Sequence, residues 1–228
     1  MATYHVDDYF DLSQVPFKSL FEGLENVWDV IPLIGSFFEK KAYFRPLKEI
    51  PYGVYVLNPE SIFVGAETII EPGAYICGPC IIGNHCIVRH GAYIRGNFIC
   101  GDHCVIGHAT EIKNSIFLNH THAAHFNYVG DSVLGNGVNL GAGTILANLK
   151  LRRDEVFVMH EEKKIHTGLK KFGAILGDGV QTGCNTVTNP GTLMGKGSFC
   201  FANTTVSGVV EEGQKVKIWG QRAASKGF

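Results

Sequence analysis

The feature that most constrains this chain is an apolar period of six residues. Steps of six from Val64 reach Ile70, Ile76, Ile82, Val88, Ile94, Cys100, Ile106, Ile112, Leu118 and Ala124. Small residues recur two positions earlier, at Ala74, Cys80, Cys86, Ala92, Cys104 and Thr110. An α-helix repeats about every 3.6 residues and a strand every two, so neither element produces this spacing. A period of six is typical of the hexapeptide repeats of a parallel β-helix.

In such a repeat each hexad supplies a short strand and a turn, and three hexads of about 18 residues close one triangular coil. The aliphatic side chain fills the interior, and the small residue leaves room beside it. The pairs Gly83-Asn84 and Gly96-Asn97 suit the corners, because both residue types tolerate positive φ. We therefore predict an all-β fold, a left-handed parallel β-helix of hexapeptide repeats with a short helical N-terminal segment.

The repeat also sets the domain boundaries. Its phase slips after Ala124, because the next members are Leu134, Leu140 and Leu146. It disappears in a charged stretch and returns at Leu176, Thr182, Thr188, Met194, Cys200 and Val206. We predict a β-helix domain over 51–215, an extruded loop at 150–172 and a C-terminal tail at 216–228. Long loops in a compact domain are usually functional or disordered.

The first 50 residues follow a different pattern. Ser13 and Pro16 are helix-start signals, and the apolar residues after them recur at near-helical spacing. The end of a β-helix exposes unpaired strand edges. We therefore predict that residues 1–50 form a helical cap, packed beside or across the first coil.

Composition narrows the possible partners and compartments. A net charge of −1 provides no basic field for nucleic acid. The acidic start is unlike a signal peptide, and no run of 18 apolar residues follows. The expectation is a cytoplasmic protein that binds neither nucleic acid nor membrane. The seven cysteines are odd in number and lack paired CxxC motifs, which favours free thiols over disulfides or a metal site.

The fold does not require the polar residues that occur within the repeats. In chain order these and their neighbours are Arg95, Glu111, Lys113, His125, Tyr128, Gly130, Asp131, Asn139, Gly141, Ala142, Gly143 and Thr144. The string resembles the acetyltransferase domain of the bifunctional N-acetylglucosamine-1-phosphate uridyltransferase/glucosamine-1-phosphate acetyltransferase family. The resemblance implies an acetyl-CoA-dependent N-acetyltransferase acting on an amino-sugar phosphate, most simply glucosamine-1-phosphate, in the pathway to UDP-N-acetylglucosamine. No glycine-rich nucleotide loop precedes the repeats, so nucleotidyl transfer is not predicted.

Acetyl transfer to an amine needs a base for the amine proton and donors for the thioester oxyanion. The resemblance makes His125 the candidate base, and histidine is suited to proton transfer near neutral pH. The alternative is a solvated loop histidine in a cluster with His120 and His122. Glu111 could orient His125 or merely flank Lys113, and both interpretations stay open.

The acceptor site is predicted from charge spacing and from the resemblance. Arg95 and Lys113 are one 18-residue coil apart, so they should stack on adjacent coils and bind a phosphate between them. The alternative is an exposed pair neutralised by Glu111 and solvent. The resemblance also assigns four residues to acceptor binding. Tyr128 and Asn139 are assigned to the sugar, and Asn148 to the acceptor or acetyl group. Lys171, or Lys170 in its place, is assigned to reach the acceptor phosphate from a neighbouring subunit.

The coenzyme site follows from the resemblance alone. Ala142 matches the position whose backbone N–H donates a hydrogen bond to the acetyl oxygen. Cys184 and Ala202 match positions along the pantetheine arm, with Cys184 standing where serine is usual, and Arg222 is assigned to the coenzyme phosphates. A single prism offers flat faces and no deep cleft. We therefore predict a homotrimer with its sites between subunits.

Other functions stay open at this point. A γ-carbonic-anhydrase-like zinc enzyme shares the fold, and His103, His108, His120 and His122 are its candidate ligands. The segment from His166 to Asp178 resembles archaeal-type sugar-1-phosphate nucleotidyltransferase/acetyltransferases, which leaves galactosamine-1-phosphate or a nucleotide-linked sugar as an alternative acceptor. A third possibility is a non-catalytic scaffold, against which the string of polar motif residues argues.

Overall fold

The computed structural model describes residues 4–39 and 49–217. In this part of the chain, short parallel strands form three eight-stranded sheets, which are the three faces of a prism and are named A, B and C below. The prediction of an all-β, left-handed parallel β-helix is confirmed.

Face A contains β2 (Ile62–Val64), β5 (Cys80–Ile82), β8 (Phe98–Cys100), β11 (Ser115–Phe117), β14 (Val133–Leu134), β19 (Ala174–Leu176), β22 (Thr192–Met194) and β25 (Val209–Val210). Face B contains β1 (Tyr55–Leu57), β4 (Tyr75–Cys77), β7 (Tyr93–Ile94), β10 (Glu111–Lys113), β13 (Tyr128–Gly130), β16 (Ile145–Leu146), β21 (Val187–Thr188) and β24 (Thr205–Val206). Face C contains β3 (Ile69–Ile70), β6 (Ile87–Val88), β9 (Val105–His108), β12 (His122–His125), β15 (Asn139–Leu140), β20 (Gln181–Thr182), β23 (Phe199–Cys200) and β26 (Lys215–Val216). Each coil visits B, A and C in that order.

Inner side chains stack from coil to coil. On face B, Ile76, Ile94 and Ile112 are in register at steps of 18 residues, as the repeat predicts. The next partner of Ile112 is Val129, only 17 residues further along the chain. The coil between them is therefore one residue short of the hexapeptide rule.

This short coil moves the phase slip to an earlier corner than the sequence pattern indicates. Phe117 and Ala123 lie inside the prism, and both are fully buried. Leu118 packs in the separate apolar cluster on the outside of face A. The prediction that Leu118 and Ala124 continue the inner row is therefore wrong, because the step that follows Ile112 is five residues long.

The outer side of face A carries a ladder of aliphatic side chains. Its buried members, in register on successive coils, are Ile81, Ile99, Ile116, Val133, Ile175 and Leu193. An outward sheet face made of such residues must be covered by other parts of the chain. The N-terminal segment and the 150–172 insertion both pack on this ladder.

The N-terminal segment comprises α1 (Val6–Tyr9), 3-10 helices at Lys18–Phe21 and Val27–Leu33, and α2 (Ile34–Phe37). The Asp11 N–H donates to the Asp178 carboxylate at 2.7 Å, and the Asn119 side-chain amide donates to the Gln14 carbonyl at 3.1 Å. Because these partners lie on different coils, the segment predicted as a cap beside or across the first coil instead lies lengthwise along face A. No helix within the described ranges is both long enough and apolar enough to cross a membrane.

The insertion at 150–172, predicted as an extruded loop, contains an antiparallel hairpin. Its strands are β17 (Phe157–His160) and β18 (Lys163–His166). Val156, Val158 and Phe172 are fully buried in the apolar cluster on face A. The insertion therefore packs against the prism rather than extending into solvent.

The covered ladder gives a stability prediction. Ile99→Ala is expected to lower the free energy of unfolding by about 2–3 kcal/mol, because it removes apolar contacts and leaves a cavity under the N-terminal segment. The matched control is Ile145→Ala, at an outer position of face B where the isoleucine is 42% exposed. Its loss should stay below about 1 kcal/mol. Urea unfolding at one fixed protein concentration measures both values, and equal losses would contradict the burial of face A.

Candidate functional site

A polar cluster lies where face B ends and face A begins. The Lys113 ammonium donates to the Asp131 carboxylate at 2.7 Å. The side-chain amides of Asn114, at 2.9 Å, and of Asn148 donate to the same carboxylate. The Tyr128 hydroxyl donates to the Asn148 amide oxygen at 3.3 Å. We call Lys113, Asn114, Tyr128, Asp131 and Asn148 the Asp131 cluster.

Local backbone geometry explains why these residues meet. Asn114 and Asp131 each turn the corner with positive φ, at 44° and 47°. Gly130 supplies space, because a Cβ there would lie 2.6 Å from the Asn148 amide nitrogen and 2.8 Å from the Tyr128 hydroxyl. A side chain at position 130 would therefore displace both groups. The Gly130-Asp131 pair was part of the sequence motif, but no role was predicted for Asp131 or Asn114.

The two cations predicted to share a phosphate have separate carboxylate partners. Arg95 pairs with Glu111 at 2.7 Å, and both side chains are more than a third exposed. Lys113 pairs with Asp131, whose side chain is only 6% exposed. Neither cation therefore needs an anion between the two to offset its charge, and phosphate binding by Arg95 and Lys113 stays a prediction. Each cation still has unused N–H donors, because an ammonium has three and a guanidinium five.

Burial and the neighbouring carboxylates keep the Tyr128 hydroxyl and the Arg95 guanidinium protonated. Burial raises the pKa of the Tyr128 hydroxyl, and the carboxylates of Glu111 and Asp131 raise it further. The hydrogen bond to Glu111 raises the pKa of the Arg95 guanidinium. Tyr128 is therefore a neutral hydroxyl donor and Arg95 a permanent cation at neutral pH.

The corner between faces C and B aligns four of the residues predicted for catalysis and coenzyme binding. His125, Ala142, Cys184 and Ala202 occupy the same corner position on four successive coils, each followed by a residue with positive φ. Backbone bonds connect them: the Gly143 N–H donates to the His125 carbonyl at 3.0 Å, and the Asn185 and Asn203 N–H groups donate to the carbonyls of Ala142 and Cys184, each at 2.8 Å. We call this row the C–B ridge.

On the coils that follow His125, the C–B ridge carries only the small side chains of Ala142, Cys184 and Ala202, so an extended ligand could lie along it. His125 and Cys184 are exposed, and Ala142 is half-buried. Among the described residues, no hydrogen-bond acceptor meets the Ala142 N–H. That N–H is therefore available to a ligand oxygen.

Glu111 does not contact His125. Its partner is Arg95 on face B, so of the two roles predicted for Glu111 the structure favours flanking the cations over orienting the histidine. The His125 backbone N–H bonds to the Asn127 side chain at 3.2 Å. In β9 and β12, His125 is in register with His108 on the preceding coil.

The remaining predicted site residues, Asn139, Lys171 and Arg222, do not belong to the Asp131 cluster or to the C–B ridge as the structure describes them. Asn139 lies on face C, in register with His122 and Gln181. Lys171 is exposed and precedes Phe172, whose N–H donates to the Asn148 carbonyl at 3.0 Å, so its backbone is beside the cluster of its own chain. Arg222 lies outside the described residues.

The hairpin forms one wall of a cavity of about 670 Å³ next to the Asp131 cluster. Its floor includes Ala147 and Leu149, on either side of Asn148, and its lining carries the cations Lys150, Arg152 and Lys164. A single prism was predicted to have no deep cleft. The cavity departs from that prediction because the hairpin forms its wall, and the six-residue repeat does not indicate a hairpin.

The histidines considered as zinc ligands lie in three different places. His122 is on face C, in register with Asn139. His103 and His120 stack at the A–C corner, with ring centroids 4.8 Å apart. His108 stacks on His90 at the C–B corner. Within one chain, the described histidines therefore do not converge on one ion, and the group of three potential ligands that does converge is Cys86, Cys100 and Cys104.

Comparison with known proteins identifies the family. Residues 76–198 match the family described as GMPPB C-terminal domain, and the chain belongs to that family. The chain is 37% identical over 108 residues to the bifunctional sugar-1-phosphate nucleotidylyltransferase/acetyltransferase of Sulfurisphaera tokodaii, covering 47% of this chain and 27% of that protein. It is 37% identical over 102 residues to the bifunctional protein GlmU of Methanococcus aeolicus, covering 45% and 25%. The predicted resemblance is confirmed.

The chain spans about a quarter of the length of the curated relatives it matches. A solved structure with similar architecture is UDP-N-acetylglucosamine acyltransferase from Campylobacter jejuni, with a TM-score of 0.47 and 16% identity, covering 71% of this chain and 68% of that one.

Proposed function

We propose that this chain is an acetyl-CoA-dependent N-acetyltransferase that acts on an amino-sugar phosphate, with glucosamine-1-phosphate as the acceptor in a pathway to UDP-N-acetylglucosamine. The observation that carries the proposal is that the C–B ridge and the Asp131 cluster border the same face of the prism. One edge of face B therefore holds His125 and three of the residues implied for the coenzyme, and the other holds most of those implied for the acceptor. A relative named bifunctional sugar-1-phosphate nucleotidylyltransferase/acetyltransferase supports this chemistry.

In the proposed reaction, the amine nitrogen of the acceptor bonds to the carbonyl carbon of the thioester. His125 takes the amine proton, and the carbon–sulfur bond breaks as the coenzyme leaves as a thiolate, which takes that proton back from His125 to become the free thiol. The Ala142 N–H donates to the oxyanion that develops on the carbonyl. Cys184 and Ala202 form the small-residue surface along which the pantetheine arm lies.

Arg95 and Lys113 bind the acceptor phosphate through the donors that their carboxylate partners leave unused. Arg95→Ala is therefore expected to raise KM for glucosamine-1-phosphate about 10- to 100-fold, the value of a charge-assisted hydrogen bond. KM for glucosamine, which lacks the phosphate, should change little. Lys113→Ala should act in the same direction, with an added loss from the unpaired Asp131. Steady-state kinetics with the two acceptors measure the difference, and equal losses would mean that the pair does not bind phosphate.

We also propose that the active form is a homotrimer whose sites lie between subunits. Asn139, on face C, is separated from the Asp131 cluster within one chain, which supports this arrangement because a second prism could bring its face C to face B of the first.

A further inference from the structure

Three cysteine thiols converge inside the prism at the corner between faces A and C. Cys100 ends β8, while Cys86 and Cys104 directly precede β6 and β9 on adjacent coils. All three are fully buried or nearly so, and their sulfur atoms lie within 4.8 Å of one another. The proposed acetyl transfer does not use this cluster, which is on the other side of the prism from face B.

Two of the three cysteines, Cys86 and Cys104, form hydrogen bonds with the backbone. The Cys104 N–H donates to the Cys86 sulfur at 3.3 Å. The Cys86 thiol donates to the Gly101 carbonyl at 3.2 Å, and the Cys104 thiol donates to the Leu118 carbonyl at 3.0 Å. All three side chains belong to the apolar core of the prism, where any net charge is costly to bury.

The net charge of the complex with three thiolates decides which thiophilic species fits this interior. Three thiolates around a divalent cation leave one net negative charge, and three around Cu(I) leave two. Either charge would be costly in this apolar interior, where no described cationic group is within the cluster. Trivalent arsenic bound to three sulfurs carries no net charge.

We propose that Cys86, Cys100 and Cys104 form a three-coordinate binding site for a trivalent metalloid of the arsenite type. In the binding step, arsenous acid condenses with the three thiols. Three As–O and three S–H bonds break, three As–S bonds form, and three molecules of water leave. Arsenic stays trivalent and no sulfur is oxidised, so no further reactant is needed.

The geometry requires only a small adjustment. Trivalent arsenic keeps a lone pair and is pyramidal, so with bonds of about 2.3 Å its three sulfurs lie about 3.5 Å apart. The widest separation in the cluster is within 4.8 Å, so the sulfurs must approach by at most about 1.3 Å.

The repeat itself provides a matched pair of variants. Cys100 and Cys200 both occupy the inner aliphatic position, where valine or isoleucine is usual. Cys100 has two thiol neighbours, whereas the polar neighbour of Cys200 is the Thr186 hydroxyl at 3.4 Å. Cys100→Val and Cys200→Val thus make the same change in equivalent environments, and only the first removes a ligand.

The full chain and both variants are refolded under reducing conditions with one equivalent of sodium arsenite, and circular dichroism verifies the fold. We expect the wild-type chain and Cys200→Val to retain one arsenic per chain after desalting, with three sulfur neighbours by X-ray absorption. Cys100→Val should bind at least tenfold more weakly. Absence of arsenic from the folded wild-type chain would overturn the proposal. Equal retention by Cys100→Val would also overturn it, because the exposed Cys184 or the half-buried Cys77 would then be the site.

Discussion

The His125→Ala variant is expected to transfer acetyl groups at least about 100 times more slowly than the wild-type chain, since a positioned general base contributes about 10²- to 10⁴-fold. In the proposed reaction, the lost group takes the proton from the acceptor amine, whereas the rest of the C–B ridge binds the coenzyme. KM for acetyl-CoA should therefore remain within about threefold of wild type. Initial rates at saturating acceptor, with the coenzyme concentration varied, measure both quantities.

His108→Ala is the matched control for this prediction. His108 is in register with His125 on the preceding coil, and its ring stacks on His90 instead of bordering the small-residue part of the ridge. The two substitutions therefore make the same change on the same corner. A rate loss in His108→Ala as large as that in His125→Ala would attribute the effect to the corner structure rather than to proton transfer.

The same variant tests whether the site is shared between subunits. His125→Ala and Lys171→Ala proteins are denatured together and refolded, and we expect part of the activity to return. Within one chain, Lys171 adjoins the backbone of Asn148. Mixed oligomers that stay inactive would assign both residues to a site within one chain.

The repeat was enough to predict the β-helix, because a six-residue period has one structural explanation. It could not locate the short coil, since Phe117 and Leu118 are adjacent apolar residues and either continues the pattern. The N-terminal segment was misplaced for a related reason. The outward ladder that it covers, with Ile99 and Ile116 among its members, becomes visible only after strand register is known.

The candidate site was predictable as far as its residues belong to a recognisable motif. His125 and Ala142 were singled out in this way, and their alignment on one corner follows from the repeat length. The role of Asp131 was not predictable. A carboxylate at a β-helix corner is ordinarily solvated, and this one is buried where the insertion returns to the prism, with the Gly173 N–H donating to the Asp131 carbonyl at 2.8 Å. That contact joins residues 42 positions apart across a segment without repeats.

Asp131→Ala is expected to lower the free energy of unfolding by about 3–5 kcal/mol, the cost of removing one partner from a buried ion pair. The carboxylate accepts bonds from Lys113, Asn114 and Asn148, so the substitution leaves a mostly buried ammonium and two amides without their acceptor. Asp131→Asn keeps the shape and one acceptor oxygen but loses the charge. Its loss should therefore be smaller, about 1–3 kcal/mol.

The control is the second ion pair of the site, Arg95–Glu111, which has the same length but is exposed. Arg95 and Glu111 are also 2.7 Å apart, with side chains 42% and 37% exposed. Glu111→Ala should cost no more than about 1 kcal/mol, since exposed pairs gain little over solvation. Urea unfolding of the three variants and the wild-type chain at one protein concentration gives the comparison. Similar losses in Asp131→Ala and Glu111→Ala would show that burial does not set the strength of the Lys113–Asp131 pair, and Asp131 would then not be the residue that organises the cluster.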